Sequence, residues 1–140
     1  ADAEERAGTG DLRADSGTGN GVKRSTDMPF IHVQTNTAIT DEQAKNIKTH
    51  LGLAITAVPG KTENWLMVET EGDKQLFFQG TDAPAAMVEV QLYGKASSNA
   101  LNTLTSNITG ILLDTLKIPT DRIYVSYMCT ENWGWNSSNF

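Results

Sequence analysis

The chain has 140 residues, an apolar fraction of 39%, a charged fraction of 20% and a formal net charge of −6. That length supports one domain with a core of its own. The acidic balance, with no grouping of Lys and Arg, speaks against a nucleic-acid binder and against docking on an anionic membrane, since both need clustered cations.

Residues 1–27 carry five glycines and mixed charges, with only Leu12 and Val22 as sizeable apolar side chains. Such a segment cannot bury enough apolar surface to offset its ordering entropy. It is expected to be a disordered extension: an appended tag, a cloning remnant or a pro-segment. The folded domain is then 28–140. No apolar run approaches the ~20 residues that span a bilayer, and the start of the chain has no apolar signal core.

From Met28 onward the pattern is regular. Pro29 to Thr35 is a predicted strand with Ile31 and Val33 on one face. Thr40-Asp41-Glu42-Gln43 matches a capping box, and the helix it starts carries Ala44, Ile47, Leu51 and Ala54 or Ile55 on one stripe. Val58-Pro59-Gly60 stops it. Trp65 to Thr70 is a second predicted strand, and Gly72-Asp73 turns into a short one over Gln75 to Gln79. Met87 to Tyr93 is the next strand. Ser97 or Ser98 caps a second helix with its stripe at Leu101, Leu104, Ile108, Ile111 and Leu112, stopped by Ile118-Pro119. Ile123 to Met128 is the last long strand.

Strand, helix, proline stop and strand thus occur twice, with Pro59 and Pro119 60 residues apart. The fold class expected is α/β (α+β): duplicated β-α-β units in a four-stranded mixed sheet with both helices on one face. The uncovered face carries Phe30, His32, Gln34, Met67, Glu69, Glu89, Gln91, Tyr124, Ser126 and Met128. That mixture suits a subunit contact or a wet channel, and predicts a homo-oligomer.

Several local patterns carry little. Gly60-Lys61-Thr62 resembles the end of a phosphate-binding loop, but Ile55 stands where that loop needs glycine and a helix precedes it. Asn107-Ile108-Thr109 and Asn136-Ser137-Ser138 match glycosylation sequons by chance. Cys129, the only cysteine, rules out an intramolecular disulfide and a cysteine-based zinc site. It is expected to be a small, half-buried strand residue. His32 and His50 are isolated from each other, in a predicted strand and a predicted helix, so no metal site and no cofactor are expected.

The C-terminal stretch Glu131 to Phe140 gathers Trp133, Trp135 and Phe140. It can anchor the sheet edge or form the wall of an apolar pocket. With it, an ordered set is complete: Met28-Pro29-Phe30-Ile31 opening a strand, Gly60-Lys61 after the first helix, Tyr93-Gly94-Lys95, Asp121-Arg122-Ile123-Tyr124-Val125, and Gly134-Trp135-Asn136-x-Ser138-x-Phe140. Over residues 28–140 this resembles the macrophage migration inhibitory factor branch of the tautomerase superfamily.

The resemblance implies a homotrimer around a central channel, with active sites between subunits. It implies keto–enol tautomerisation of phenylpyruvate-like α-keto acids, or of dopachrome-type substrates, with an N-terminal proline as general base. By this match Pro29 is the base and Lys61 the active-site lysine. Trp65, Tyr93, Trp133 and Phe140 contact substrate, and Tyr124 and Ser126 reach in from a neighbour. Ser126 stands where asparagine is typical. The resemblance also implies a cytoplasmic protein that can leave cells without a signal peptide and act as a cytokine through a cell-surface receptor. The family's Cys-x-x-Cys motif is replaced here by Ala85-Ala86-Met87-Val88, so thiol oxidoreductase activity is not expected.

The chemistry is coherent. Moving a proton beside a carbonyl needs a base with a pKa near ambient pH, and an α-amine starts near ~8. An apolar pocket and a neighbouring cation both disfavour its protonated form. Lys61 can also hold a carboxylate and ease charge on an enolate. Here, however, Pro29 follows Met28, and an acylated proline nitrogen has no basic lone pair. Activity by this route therefore requires cleavage that exposes Pro29.

Overall fold

The computed structural model describes residues 28–140; the extension expected over 1–27 lies outside the described residues. Strand β1 (Pro29–Thr35) alternates buried and half-buried residues along its length. It runs parallel to β2 (Met67–Glu71) and antiparallel to β3 (Ala86–Tyr93), which is in turn parallel to β4 (Ile123–Thr130). The sheet order is β2-β1-β3-β4. Each parallel pair is bridged by a helix, because parallel neighbours cannot be joined by a tight turn. These are α1 (Asp41–Ala54) between β1 and β2, and α2 (Ser98–Leu116) between β3 and β4.

The helix starts follow from local chemistry. The Thr40 hydroxyl accepts from the Gln43 N–H at 3.1 Å, and the Gln43 side chain accepts from the Thr40 N–H at 3.0 Å. This satisfies two otherwise orphaned donors. Ser97 accepts from the Ala100 N–H and caps α2. That helix ends on Lys117 in the left-handed conformation, with the Lys117 and Ile118 N–H groups donating to the carbonyls of Leu113 and Leu112.

One face of the sheet and the inner stripes of both helices form the core. Ile31 and Val33 of β1, Val88, Val90 and Leu92 of β3, Ile47 and Leu51 of α1, and Leu104, Ile108 and Leu112 of α2 are all buried. Register places Val68, Ile31, Val90 and Tyr127 side by side, and Val33, Val88 and Val125 in the next row. Burying one such aliphatic side chain contributes about 1.5–3 kcal/mol. No helix among the described residues is long and apolar enough to cross a membrane.

Two predicted strands differ. Trp65 lies in a 3₁₀ turn (Glu63–Trp65), so β2 starts only at Met67. No strand forms over Gln75 to Gln79; a lone bridge joins Phe78 to Thr81 around Gln79 and Gly80, both at positive φ. Side chains take the carbonyls that a strand ladder would use. The Asn36 amide donates to the oxygens of Leu76, Asp82 and Ala83 and accepts from the Ala85 N–H. The Arg122 guanidinium donates to the oxygens of Pro84, Phe78, Thr81 and Ala83, and its carbon lies 5.3 Å from the Phe78 ring centroid. A compact ammonium cannot reproduce that fork. In Arg122→Lys, the amides of residues 72–85 are expected to exchange with solvent faster while those of β3 do not, with a stability loss of about 1 kcal/mol. Unchanged exchange in the loop would show that Arg122 does not hold it.

Tyr127 ties the edge strand β4 to α2. Its hydroxyl lies 2.7 Å from Thr105 Oγ1 and donates to the Leu101 oxygen at 3.1 Å. Burial raises its pKa above the ordinary 10.0, partly offset by the Thr105 contact. A raised pKa means that the native state keeps a proton the unfolded chain releases. Stability from this group is therefore complete below pH ~10 and falls as pH rises beyond it. Urea midpoints between about pH 9 and about pH 11 should drop more steeply in the native protein than in Tyr127→Phe. Parallel pH profiles would refute this assignment. Cys129, expected to be half-buried, is exposed; it lies near the end of the outer strand β4, which has a neighbour on one side only.

The opposite face of the sheet is open, and its composition is mixed as predicted. Met67, Phe30, Gln91 and Met128 form one row across it, and Glu69, His32, Glu89 and Ser126 the next. Glu71 follows at the end of β2, and its contact with the His32 ring holds its carboxyl below the usual carboxylate range.

Candidate active site

Pro29 opens β1, is buried, and pairs with Leu92 near the end of β3. A proline in first position costs the ladder nothing, since no N–H is needed there. One residue beyond Leu92, the Tyr93 N–H donates to the Met28 oxygen at 3.0 Å. The Met28 side chain is itself buried.

Lys61 arrives from the connection between α1 and β2. Gly60, at φ +86°, supplies the left-handed residue that turns the chain after Pro59, and the Lys61 N–H donates to the Val58 oxygen at 3.1 Å. The Lys61 ammonium donates to the Tyr93 oxygen at 2.7 Å. Lys61 is only 4% exposed, and it and Thr35 are the buried polar residues among those described. A lysine this deep is uncommon unless its charge is paired or used.

Beyond Tyr93 the aromatic side chains form a connected series. The Tyr93 and Phe140 ring centroids are 5.4 Å apart, those of Phe140 and Trp135 6.5 Å, and those of Trp135 and Trp65 5.1 Å, edge to face. The C-terminal segment that carries two of them is a hairpin of β5 (Gly134–Trp135) and β6 (Ser138–Asn139). Asn136 and Ser137 both have positive φ, the turn geometry that matches strand twist. The Phe140 N–H donates to the Trp133 oxygen at 3.1 Å and closes the hairpin.

The structure therefore gathers Pro29, Lys61, Tyr93, Trp65 and Phe140 around one end of the sheet. Trp133 enters this arrangement through its carbonyl. The tryptophan ring that meets both Trp65 and Phe140 is that of Trp135, which sequence reasoning does not assign to the site. The available signal is its place in the Gly-Trp-Asn-x-Ser-x-Phe pattern, in which a tight turn brings Trp135 back beside Phe140.

Tyr124 and Ser126 are not brought to Pro29 within one chain. They lie on the open face of β4, where Tyr124 pairs with Met87 and Ser126 with Glu89, while Pro29 pairs with Leu92. That places them five and three residues further back along β3, roughly 16 and 10 Å at a rise of about 3.3 Å per residue. Tyr124 packs edge-on against Phe78, with ring centroids 4.8 Å apart.

The sequence matches the family model for Macrophage migration inhibitory factor (MIF) over residues 28–140. The macrophage migration inhibitory factor of Meriones unguiculatus is 30% identical over 115 residues, covering 81% of this chain and 99% of that protein. The protein of the same name from Mus musculus is 29% identical, with the same coverage. The crystal structure of Leishmania major MIF2 has a TM-score of 0.77 at 30% identity, covering 82% of this chain and 99% of its own. The macrophage migration inhibitory factor-like protein of Entamoeba histolytica shares the fold, with a TM-score of 0.71 at 21% identity and coverage of 81% of this chain and 99% of its own. On the span of the family match and the coverage of these relatives, the chain belongs to the macrophage migration inhibitory factor family.

Proposed function

We propose that the protein is a keto–enol tautomerase for phenylpyruvate-like α-keto acids, with dopachrome-type compounds as further substrates, active once Pro29 is the first residue. The observation that carries this reading is that Pro29 and the buried Lys61 ammonium meet the same short stretch of β3, Leu92 and Tyr93. In the enol-forming direction, the free Pro29 amine takes a proton from the carbon beside the ketone. The released electron pair becomes the carbon–carbon double bond, and the carbonyl oxygen gains the proton. Lys61 lowers the energy of the negative charge that builds on that oxygen, or holds the substrate carboxylate. The rings of Trp65, Trp135 and Phe140 offer an apolar wall for an aryl group and exclude water.

Tyr124 and Ser126 fit this reading only in an assembly, as contributions from a neighbouring copy of a homotrimer. The open sheet face, with Met67, Met128 and Tyr124 largely exposed, is the surface on which such copies would meet. The test is a phenylpyruvate assay on a chain beginning at Pro29 and on its Pro29→Gly variant. Full activity in the variant would remove Pro29 from the mechanism.

A second reading has one observation of its own. With Met28 attached, the Pro29 nitrogen is an amide and the Tyr93 N–H is already engaged by the Met28 oxygen. In that form the protein would act as a cytokine-like ligand of a cell-surface receptor. Receptor binding that survives both retention of Met28 and replacement of Pro29 would favour it.

A further inference from the structure

On the open sheet face, well back from Pro29 along the strands, three carboxylates surround one imidazole. His32 of β1 sits between Glu69 on β2 and Glu89 on β3 in the sheet register. Its Nε2 lies 3.0 Å from Glu71 Oε1 and 3.8 Å from Glu69 Oε1, while its Nδ1 lies 3.3 Å from Glu89 Oε1. We propose that His32, Glu69 and Glu71 form a binding site for a borderline divalent transition ion, with Zn²⁺ as the representative, and that Glu89 orients the histidine.

Three features carry this. The first is spacing. The donor atoms of His32, Glu69 and Glu71 all lie within 4.8 Å of one another. Ligands about 2.1 Å from a tetrahedral ion stand about 3.4 Å apart, between the two Nε2-to-carboxylate distances observed. The second is the division of the ring. A metal-binding imidazole commonly gives its other N–H to a carboxylate, which fixes the tautomer and aims the free nitrogen at the ion. Here the Glu89 carboxylate stands beside Nδ1 at 3.3 Å as a charge contact, while Nε2 faces Glu71 at 3.0 Å and Glu69 at 3.8 Å. The third is charge. Three carboxylates meet at most one imidazolium. Lys74 reaches Glu71 at 3.6 Å, and Gln34 Nε2 is 3.4 Å from His32 Nε2, so neither side chain neutralises Glu69 and Glu89.

The chemistry of the donors sets the class of ion. One imidazole nitrogen with carboxylate oxygens suits zinc and its neighbours better than Mg²⁺ or Ca²⁺, which prefer all-oxygen cages. The donors also stand on adjacent strands of one sheet, whose hydrogen bonds hold their spacing. In the single chain the histidine is mostly shielded, its side chain 15% exposed, while the Glu69 side chain is 50% exposed. This site does not involve Pro29 or Lys61, but it lies on the sheet face proposed above for subunit contact, so the oligomeric state of each variant is compared with that of the native chain.

The test is calorimetric titration of the chelator-treated full chain with zinc chloride, alone and with excess Mg²⁺. One Zn²⁺ should bind per chain, and Mg²⁺ should not displace it. Glu89→Gln should weaken binding roughly 10–100-fold, as expected for an outer partner. His32→Asn and Glu71→Gln should weaken it further. If His32→Asn does not fold, as judged by circular dichroism, Glu69→Gln, which alters an exposed side chain, takes its place. Absence of saturable binding, equal affinity for Mg²⁺, or binding that persists in these variants would each overturn the proposal.

Discussion

A chain that begins at Pro29 should interconvert the keto and enol forms of phenylpyruvate about 10²–10⁴ times faster than a chain in which Met28 precedes it, the range that a positioned general base contributes. Two physical changes accompany the loss of Met28. The proline nitrogen passes from an amide, whose lone pair is delocalised into the carbonyl, to a secondary amine that can take a proton. The Tyr93 N–H, which donates to the Met28 oxygen at 3.0 Å, also becomes available to substrate. The buried Met28 side chain leaves the same region and opens space. Three proteins separate these effects: the chain from Pro29, the chain from Met28, and Pro29→Gly with a free terminus. Equal rates in the first two would mean that the proline amine is not the base. Intact mass must accompany each rate, because partial removal of Met28 during expression would blur the contrast.

Replacing Lys61 with methionine should lower kcat/KM of the Pro29-first protein by about 10²–10³, the range for removing one preorganised electrostatic contact to a developing oxyanion. Methionine keeps a flexible apolar stem of similar reach and deletes the charge and the donor. The Tyr93 oxygen, which accepts from the Lys61 ammonium at 2.7 Å, would lose that partner, at a cost of about 1–3 kcal/mol if it stays buried. The two consequences are separable. A stability loss alone shifts the urea midpoint while the rate per folded molecule is kept. A loss in kcat places the ammonium at the enolate oxygen, and a loss confined to KM places it at the substrate carboxylate. Unchanged kinetics in a folded Lys61→Met protein would restrict Lys61 to a structural tie between the α1–β2 connection and β3.

Much of the fold is legible because it is written in local periodicity. The alternation through Ile31 and Val33 and the stripes through Ile47 and Leu51 or Leu104, Ile108 and Leu112 each sort one face from another. The capping box at Thr40 and Gln43 acts across three residues and needs nothing else. The failures have the opposite character. Gln75 to Gln79 has strand-like composition, yet its neighbourhood is held by Asn36 and Arg122, each about 40 residues away in sequence. No local window contains that competition. Trp65 reads as a strand residue because it is aromatic and adjoins one, but the chain turns tightly through Glu63–Trp65 before β2 begins.

The duplicated β-α-β order, the core face of the long strands and, through the ordered motifs from Pro29 to Phe140, the family can all be read from the chain without coordinates. What those motifs touch cannot. Folding brings Lys61 to the Tyr93 carbonyl and places Trp135 between Trp65 and Phe140. It sets Tyr124 and Ser126 on the open face, away from Pro29 of the same chain. It also gathers Glu69, Glu71 and Glu89 around His32, an isolated histidine by sequence spacing. The physical reason is register: pairing along a strand fixes which residues stand opposite one another, and that pairing is set by packing across the whole sheet.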